Sequence, residues 1–339
     1  MSASNSVPSA AIFGCSGLAL TQAEKEFFAR TNPLGFILFA RNVDNPDQVR
    51  ALVRDLRASV GRADAPVLID QEGGRVQRLR PPHWRAAPPG AVFAELAARD
   101  SERAAQALRL NYRLIGAELA DLGIDVDCAP VLDVPVSGAH DVIGDRAFGK
   151  TAAMVADLGR AVCDGLLDQG VLPVIKHIPG HGRAMVDSHL SLPVVDASRA
   201  ELEAQDFATF TALRDQPWAM TAHVVYTAID AKAPATTSAK VIGEIIRGLI
   251  GFEGLLISDD LSMKALGGSF GERTAACLEA GCDVVLHCNG QMEEMSAIAA
   301  QLRPLTDIAR ERVAQGQRMK RRDDLDQAAA LAELNRLLA

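Results

Sequence analysis

Eight short apolar runs, each followed by a helix-period pattern, occupy most of this chain, at residues 11–14, 36–40, 67–70, 124–129, 171–177, 218–223, 255–259 and 283–287. The runs are too continuously apolar for half-exposed antiparallel strands, and read as parallel strands buried on both faces. The segments between them carry helix start and stop signals. Thr21…Glu24, Ser198…Glu201 and Ser269…Glu272 have the spacing of capping boxes. Asn45-Pro46 is an N-cap followed by proline at the first helical position, ahead of a Val49, Leu52, Val53, Leu56 stripe. Gly123, Gly170 and Gly281 stand where left-handed C-caps are wanted, at or just before the next strand.

Eight β-then-α units predict an α/β chain folded as a (β/α)8 barrel. An open doubly wound sheet is the runner-up, but no G-x-G-x-x-G follows the first strand. The expectation is one catalytic barrel domain over 1–339, with strands within about 11–287 and extra C-terminal helices at 290–339 packed on the outside.

Bulk properties narrow the function. With 48% hydrophobic residues the chain can bury a sizeable core, and a net charge of −8 with no basic stripe argues against nucleic-acid or membrane partners. The one cationic cluster, Arg318 to Arg322, is expected to be a solvated helix face. Met1 to Ala10 lacks the charged-then-apolar profile of a signal peptide, and no apolar run approaches the ~20 residues that span a bilayer. A cytoplasmic monomer is expected, its six scattered cysteines reduced and buried.

Three strand-to-helix connections, at about 71–100, 130–150 and 178–197, far exceed the ~2–6 residues usual in such units. In a barrel they open onto the C-terminal face, where active sites of this fold sit. They also hold the unusual residues. Asp70 ends the third strand and precedes a Gly73-Gly74 pair; an ion pair with Arg75 or Arg78 is its bland explanation. Arg146 either offers a forked donor to a ligand or holds its loop through Asp145. Lys176-His177-Ile178-Pro179-Gly180-His181-Gly182 runs on to Asp187-Ser188-His189, placing three histidines, a lysine and an aspartate within fourteen residues. His177 and His181 have zincin spacing, but Pro179-Gly180 forbids the helix, so no metal and no cofactor are expected. His223, alone at the end of strand six, reads as a structural group.

Strand seven ends in Asp259-Asp260, whose side chains face opposite ways if the extended geometry persists. One can then face the barrel axis while the other is tied into the wall. A carboxylate at the mouth beside Asp70, Arg146, Lys176 and a His-rich loop suggests displacement at an electrophilic carbon, with glycoside hydrolysis a natural candidate.

Five segments then resemble a known family in register: Asp70-Gln71-Glu72-Gly73-Gly74-Arg75-Val76, Asp145-Arg146-Ala147-Phe148-Gly149, Lys176 to Gly182, Asp187-Ser188-His189 and Ser258-Asp259-Asp260-Leu261-Ser262-Met263. Together they are similar to the β-N-acetylglucosaminidases of glycoside hydrolase family 3. The resemblance implies that Asp259 is the nucleophile and His189 the general acid/base, with Asp187 as its partner. It further implies that Asp70, Arg78, Arg146, Lys176 and His177 hold the sugar's hydroxyls and N-acetyl group. The expected substrate is a muropeptide or oligosaccharide with a non-reducing N-acetylglucosamine, met in cell-wall recycling. Ile178 departs from the family's usual Phe, and Arg183-Ala184-Met185 fill a segment that varies. Two other readings remain, a phosphorylase and a catalytically silent sugar-binding barrel. A substrate-assisted hexosaminidase would need an Asp-Glu pair that strands four to six do not offer.

Overall fold

In the computed structural model, which describes residues 7–138, 140–186, 188 and 190–339, eight parallel strands close into a barrel in the order β1-β8-β7-β6-β5-β4-β3-β2. The strands are β1 (Ser9–Gly14), β2 (Pro33–Leu38), β3 (Val67–Ile69), β4 (Val126–Asp127), β5 (Leu172–Ile178), β6 (Trp218–Thr221), β7 (Leu255–Asp260) and β8 (Val284–His287). Each falls on one of the eight apolar runs. All but the ends of β1 and β7 are buried, as strands walled by side chains inside and helices outside must be. β4 is short because Pro130 cannot donate to the ladder. The chain nevertheless stays against β5, with Leu132 N–H donating to Lys176 O at 2.7 Å.

The helix signals also hold. Thr21, Ser198 and Ser269 form reciprocal capping boxes with Glu24, Glu201 and Glu272. Asn45 caps Pro46–Ser59, whose buried face is Val49, Leu52, Val53 and Leu56. Gly123 and Gly281 are left-handed C-caps, whereas helix Ala152–Leu167 is capped by Asp168, two residues before Gly170. All six cysteines are reduced and buried. No described helix is long and apolar enough to cross a membrane.

The C-terminal helices pack on the outside of the barrel, one at the end remote from the long loops and one on its flank. Helix Asp307–Met319 brings Gly316 against Leu172, Pro217 and the Trp218 indole, at the starts of β5 and β6. Helix Gln327–Leu338 docks on Ser101–Leu122, where Arg103 Nε donates to Leu337 O at 2.7 Å.

The cationic cluster is not simply a solvated helix face. The helix ends at Met319 and the backbone turns extended at Lys320. Lys320 Nζ then pairs with Asp125 at 2.9 Å, and Arg321 with the buried Asp168 at 2.9 Å. Only Arg318 stays on the helix surface, paired with Glu311. The cluster pins the C-terminal segment to the barrel floor.

Candidate active site

The long loops converge at the C-terminal ends of the strands around a cavity of about 170 Å³. β3 and β7 stand four places apart in the eight-strand ring, so the residues that follow them face each other across the barrel mouth.

On the β3 side, a hairpin of Gln71–Gly73 and Val76–Gln77 turns the chain back over the barrel. It sets Asp70 and Glu72 against three cations. Asp70 accepts from Arg78 Nη2 at 2.8 Å and from Lys176 Nζ at 2.9 Å. Glu72 receives Arg146 at two points, Nε to Oε2 at 2.7 Å and Nη2 to Oε1 at 2.8 Å, while Lys176 Nζ lies 2.6 Å from Oε1. Burial alone would favour the neutral acids. The cations outweigh it, holding Asp70 well below the ordinary carboxylate range and Glu72 down at about 2. Burial likewise opposes charge on Lys176, but its two carboxylates push its pKa above the usual lysine value. The array is therefore a fixed set of charges, rich in donors for hydroxyl and amide groups.

Of the two ion-pair expectations, Asp70 meets Arg78, one of its two candidates, while the pairing of Arg146 with Asp145 is corrected. Arg75 pairs with Asp145 at 2.8 Å, not with Asp70, and donates to the carbonyls of Asp141, Val142 and Ile143. With Asp145 occupied by Arg75, Arg146 turns inward to Glu72. Glu72 thus belongs to the site as the shared partner of Arg146 and Lys176.

β5 carries Lys176 and His177 to the cavity wall. His177 Nδ1 lies 2.7 Å from Asp133 Oδ2, and Asp133 Oδ1 accepts the backbone N–H of His181 at 2.6 Å. The turn packs tightly enough that a Cβ at Gly182 would fall 2.0 Å from the Val134 carbonyl oxygen. His181 is buried, with Nε2 3.1 Å from Ser188 Oγ. Burial and the neighbouring His177 ring lower its pKa to about 4, which makes it a neutral scaffold histidine at pH 7. Ile178 is fully buried in β5, and of the variable Arg183-Ala184-Met185 segment Arg183 pairs with Asp206 at 2.6 Å while Met185 is exposed. Asp187 and His189 lie outside the described residues.

β7 delivers the carboxylate pair. Asp260 is bound into the wall: its Oδ1 accepts from Ser262 N at 3.0 Å and Cys288 N at 3.1 Å, and the Ser262 hydroxyl donates to Oδ2. Asp259 lines the cavity, its Oδ1 accepting the Asp260 N–H at 2.8 Å. Apolar surface from Phe39, Met220, Met263 and Leu286 completes the wall, with the Arg78 guanidinium 5.1 Å from the Phe39 ring centre. His223 is used up structurally, with Nδ1 2.7 Å from Thr236 Oγ1 and Nε2 donating to Asp260 O at 3.1 Å. Asp70, Arg78, Arg146, Lys176, His177 and Asp259 thus meet at one cavity.

The family model for the glycosyl hydrolase family 3 N-terminal domain matches residues 9–321. The chain belongs to glycosyl hydrolase family 3. As a family 3 glycoside hydrolase it is 42% identical over 303 residues to a beta-hexosaminidase of Alkalilimnicola ehrlichii, covering 87% of this chain and 84% of that one. It is 35% identical over 325 residues to a beta-hexosaminidase of Idiomarina loihiensis, covering 94% of each. NagZ from Neisseria gonorrhoeae, solved in complex with N-trifluoroacetyl-D-glucosamine, superposes with a TM-score of 0.88 at 32% identity, covering 98% of this chain and 99% of that one. The family 3 assignment agrees with a barrel whose polar residues gather at one mouth.

Proposed function

We propose that this chain is an exo-acting β-N-acetylhexosaminidase that removes terminal N-acetylglucosamine from peptidoglycan-derived fragments in the cytoplasm, with retention of anomeric configuration. One observation carries the reading most directly. Asp259 stands on the cavity wall across the barrel from a locked Asp70–Lys176–Glu72–Arg146 array, while the adjacent Asp260 is held by the Ser262 and Cys288 amides. A nucleophile on one side and fixed hydrogen-bonding groups on the other suit a pyranose held by its hydroxyls with C1 over Asp259.

In the first step an Asp259 carboxylate oxygen bonds to C1 as the glycosidic C1–O bond breaks, and His189 gives its proton to the departing oxygen. In the second, His189 takes a proton from water as the water oxygen bonds to C1 and the Asp259 ester breaks. Asp187 favours the protonated imidazole in the first step. A histidine suits this exchange because its ordinary pKa near ~6.5 lies close to working pH. Two other titratable groups near the mouth, Glu72 and His223, are poor proton donors. Glu72 is held ionised by Arg146 and Lys176, and both ring nitrogens of His223 are engaged.

Incubation with p-nitrophenyl N-acetyl-β-glucosaminide and with the matching glucoside, each with and without phosphate, tests the reading. The account expects cleavage of the first only, unaffected by phosphate. Equal cleavage of both, or a sugar 1-phosphate product, would contradict it. Release of N-acetylglucosamine from an anhydro-muropeptide tests the cell-wall assignment separately.

A further inference from the structure

Beyond the residues that line the cavity, one buried carboxylate organises the β5 end. Asp133 is fully buried on the stretch that continues β4, within the apolar run Val131 to Val134. Its carboxylate faces three nitrogens: His177 Nδ1 at 2.7 Å on Oδ2, and the backbone N–H groups of His181 at 2.6 Å and His177 at 3.3 Å on Oδ1. Burial alone would favour the neutral acid, but His177 and the donated hydrogen bonds hold it ionised. An ionised carboxylate can only accept. The proton shared with His177 therefore sits on Nδ1, and Nε2 is the ring nitrogen left for whatever enters the cavity that His177 lines.

We infer that Asp133 is a positioning residue of the active site, acting through His177. It commits Nδ1, fixes the ring plane, and ties the cavity histidine to the turn from which the loop carrying Asp187 and His189 departs. The same carboxylate thus serves the sugar-contacting group and the base of that loop. A serving carboxylate of this kind is seen behind ligating and catalytic histidines generally, where its loss weakens function about 10–100-fold or more. The inference rests on the functional reading above only in taking His177 as a sugar contact.

The test is a double-mutant cycle of Asp133→Asn, His177→Ala and the pair, using the aryl N-acetylglucosaminide, a disaccharide fragment and thermal melts, with ¹⁵N-histidine NMR of the unsubstituted protein alongside. Asp133→Asn should lower kcat/KM about 10–100-fold. In the His177→Ala background the same change should alter kcat/KM less than about twofold, since the asparagine oxygen still accepts the two backbone N–H groups and the ring it would disturb is already gone. The His177 signal should show a proton on Nδ1. Multiplying losses in the pair, a near-normal Asp133→Asn enzyme, or a His177 ring protonated at Nε2 alone would overturn the inference. So would a His177→Ala loss confined to poor leaving groups, which would make His177 the proton donor itself. An unsubstituted protein that cleaves no N-acetylglucosaminide defeats the functional reading instead, while the NMR result still judges the Asp133–His177 coupling.

Discussion

Glu72 and Arg146, 74 residues apart in sequence, meet as a two-point ion pair, with Nε 2.7 Å from Oε2 and Nη2 2.8 Å from Oε1. Lys176 closes on the same carboxylate at 2.6 Å. Removing Glu72 leaves the largely buried Arg146 without its carboxylate and Lys176 with Asp70 alone, and the expected loss is about 3–5 kcal/mol.

Glu72→Ala should accordingly lower stability at pH 7 by about that amount and raise KM about tenfold or more as Arg146 and Lys176 lose their alignment. The pH dependence has a definite sign. The folded-state pKa is about 2, below the ordinary 4.5, so the stabilisation is full above about 4.5 and fades as pH falls towards 2. Urea melts of variant and parent should therefore differ most at pH 7 and converge only as pH falls to about 2 and below. A constant difference across that range would mean that packing, not charge, dominates.

Asp127 carries the opposite sign. Burial lifts its pKa from 3.8 to about 8; Oδ1 accepts from Gln71 N at 3.0 Å, and Oδ2 has no hydrogen-bond partner. The folded chain holds a proton there that the unfolded chain releases above about 3.8, so the folded state loses ground as pH rises from about 4 to 8. Asp127→Asn keeps the Oδ1 contact and removes the titration. It should stabilise the protein at pH 7, on the order of 1–3 kcal/mol, and change it little at pH 4. Equal effects in denaturant melts at both pH values would rule this out.

The barrel was legible because parallel strands buried on both faces leave continuous apolar runs, and because Thr21, Asn45 and Ser269 announce their helices locally. Most of the cavity residues were legible too, since they cluster at strand ends. Their partnerships were not. Arg146 has an aspartate next to it in sequence, and only the folded position of Arg75 shows that this aspartate is taken. Asp133 hides in an apolar run, where an aspartate between Leu132 and Val134 was the available signal: a charge there needs a buried partner. Lys320 and Arg321 look like surface charge until the helix ends beneath them.

His189→Ala probes the acid. Protonating the departing oxygen matters only for a poor leaving group, and such proton transfer contributes about 10²–10⁴-fold. Hydrolysis of a disaccharide fragment should fall by about that factor, and formation of the glycosyl-enzyme from an aryl glycoside much less. Because hydrolysis of the intermediate also needs His189, the variant should show a burst of aryl alcohol. Asp187→Ala should give a milder form, with the basic limb of the rate profile moved to lower pH. Equal losses on both leaving groups without a burst would reduce His189 to a loop-positioning role.

Trapping the intermediate tests the central claim most directly. A 5-fluoro or 2-fluoro N-acetylglucosaminyl probe forms the ester and slows its hydrolysis, so peptide mass spectrometry reads which carboxylate took the sugar. The account predicts one added sugar mass on Asp259, with the β-anomer as first product of the natural reaction. Labelling of Asp260, or the α-anomer released first, would contradict it.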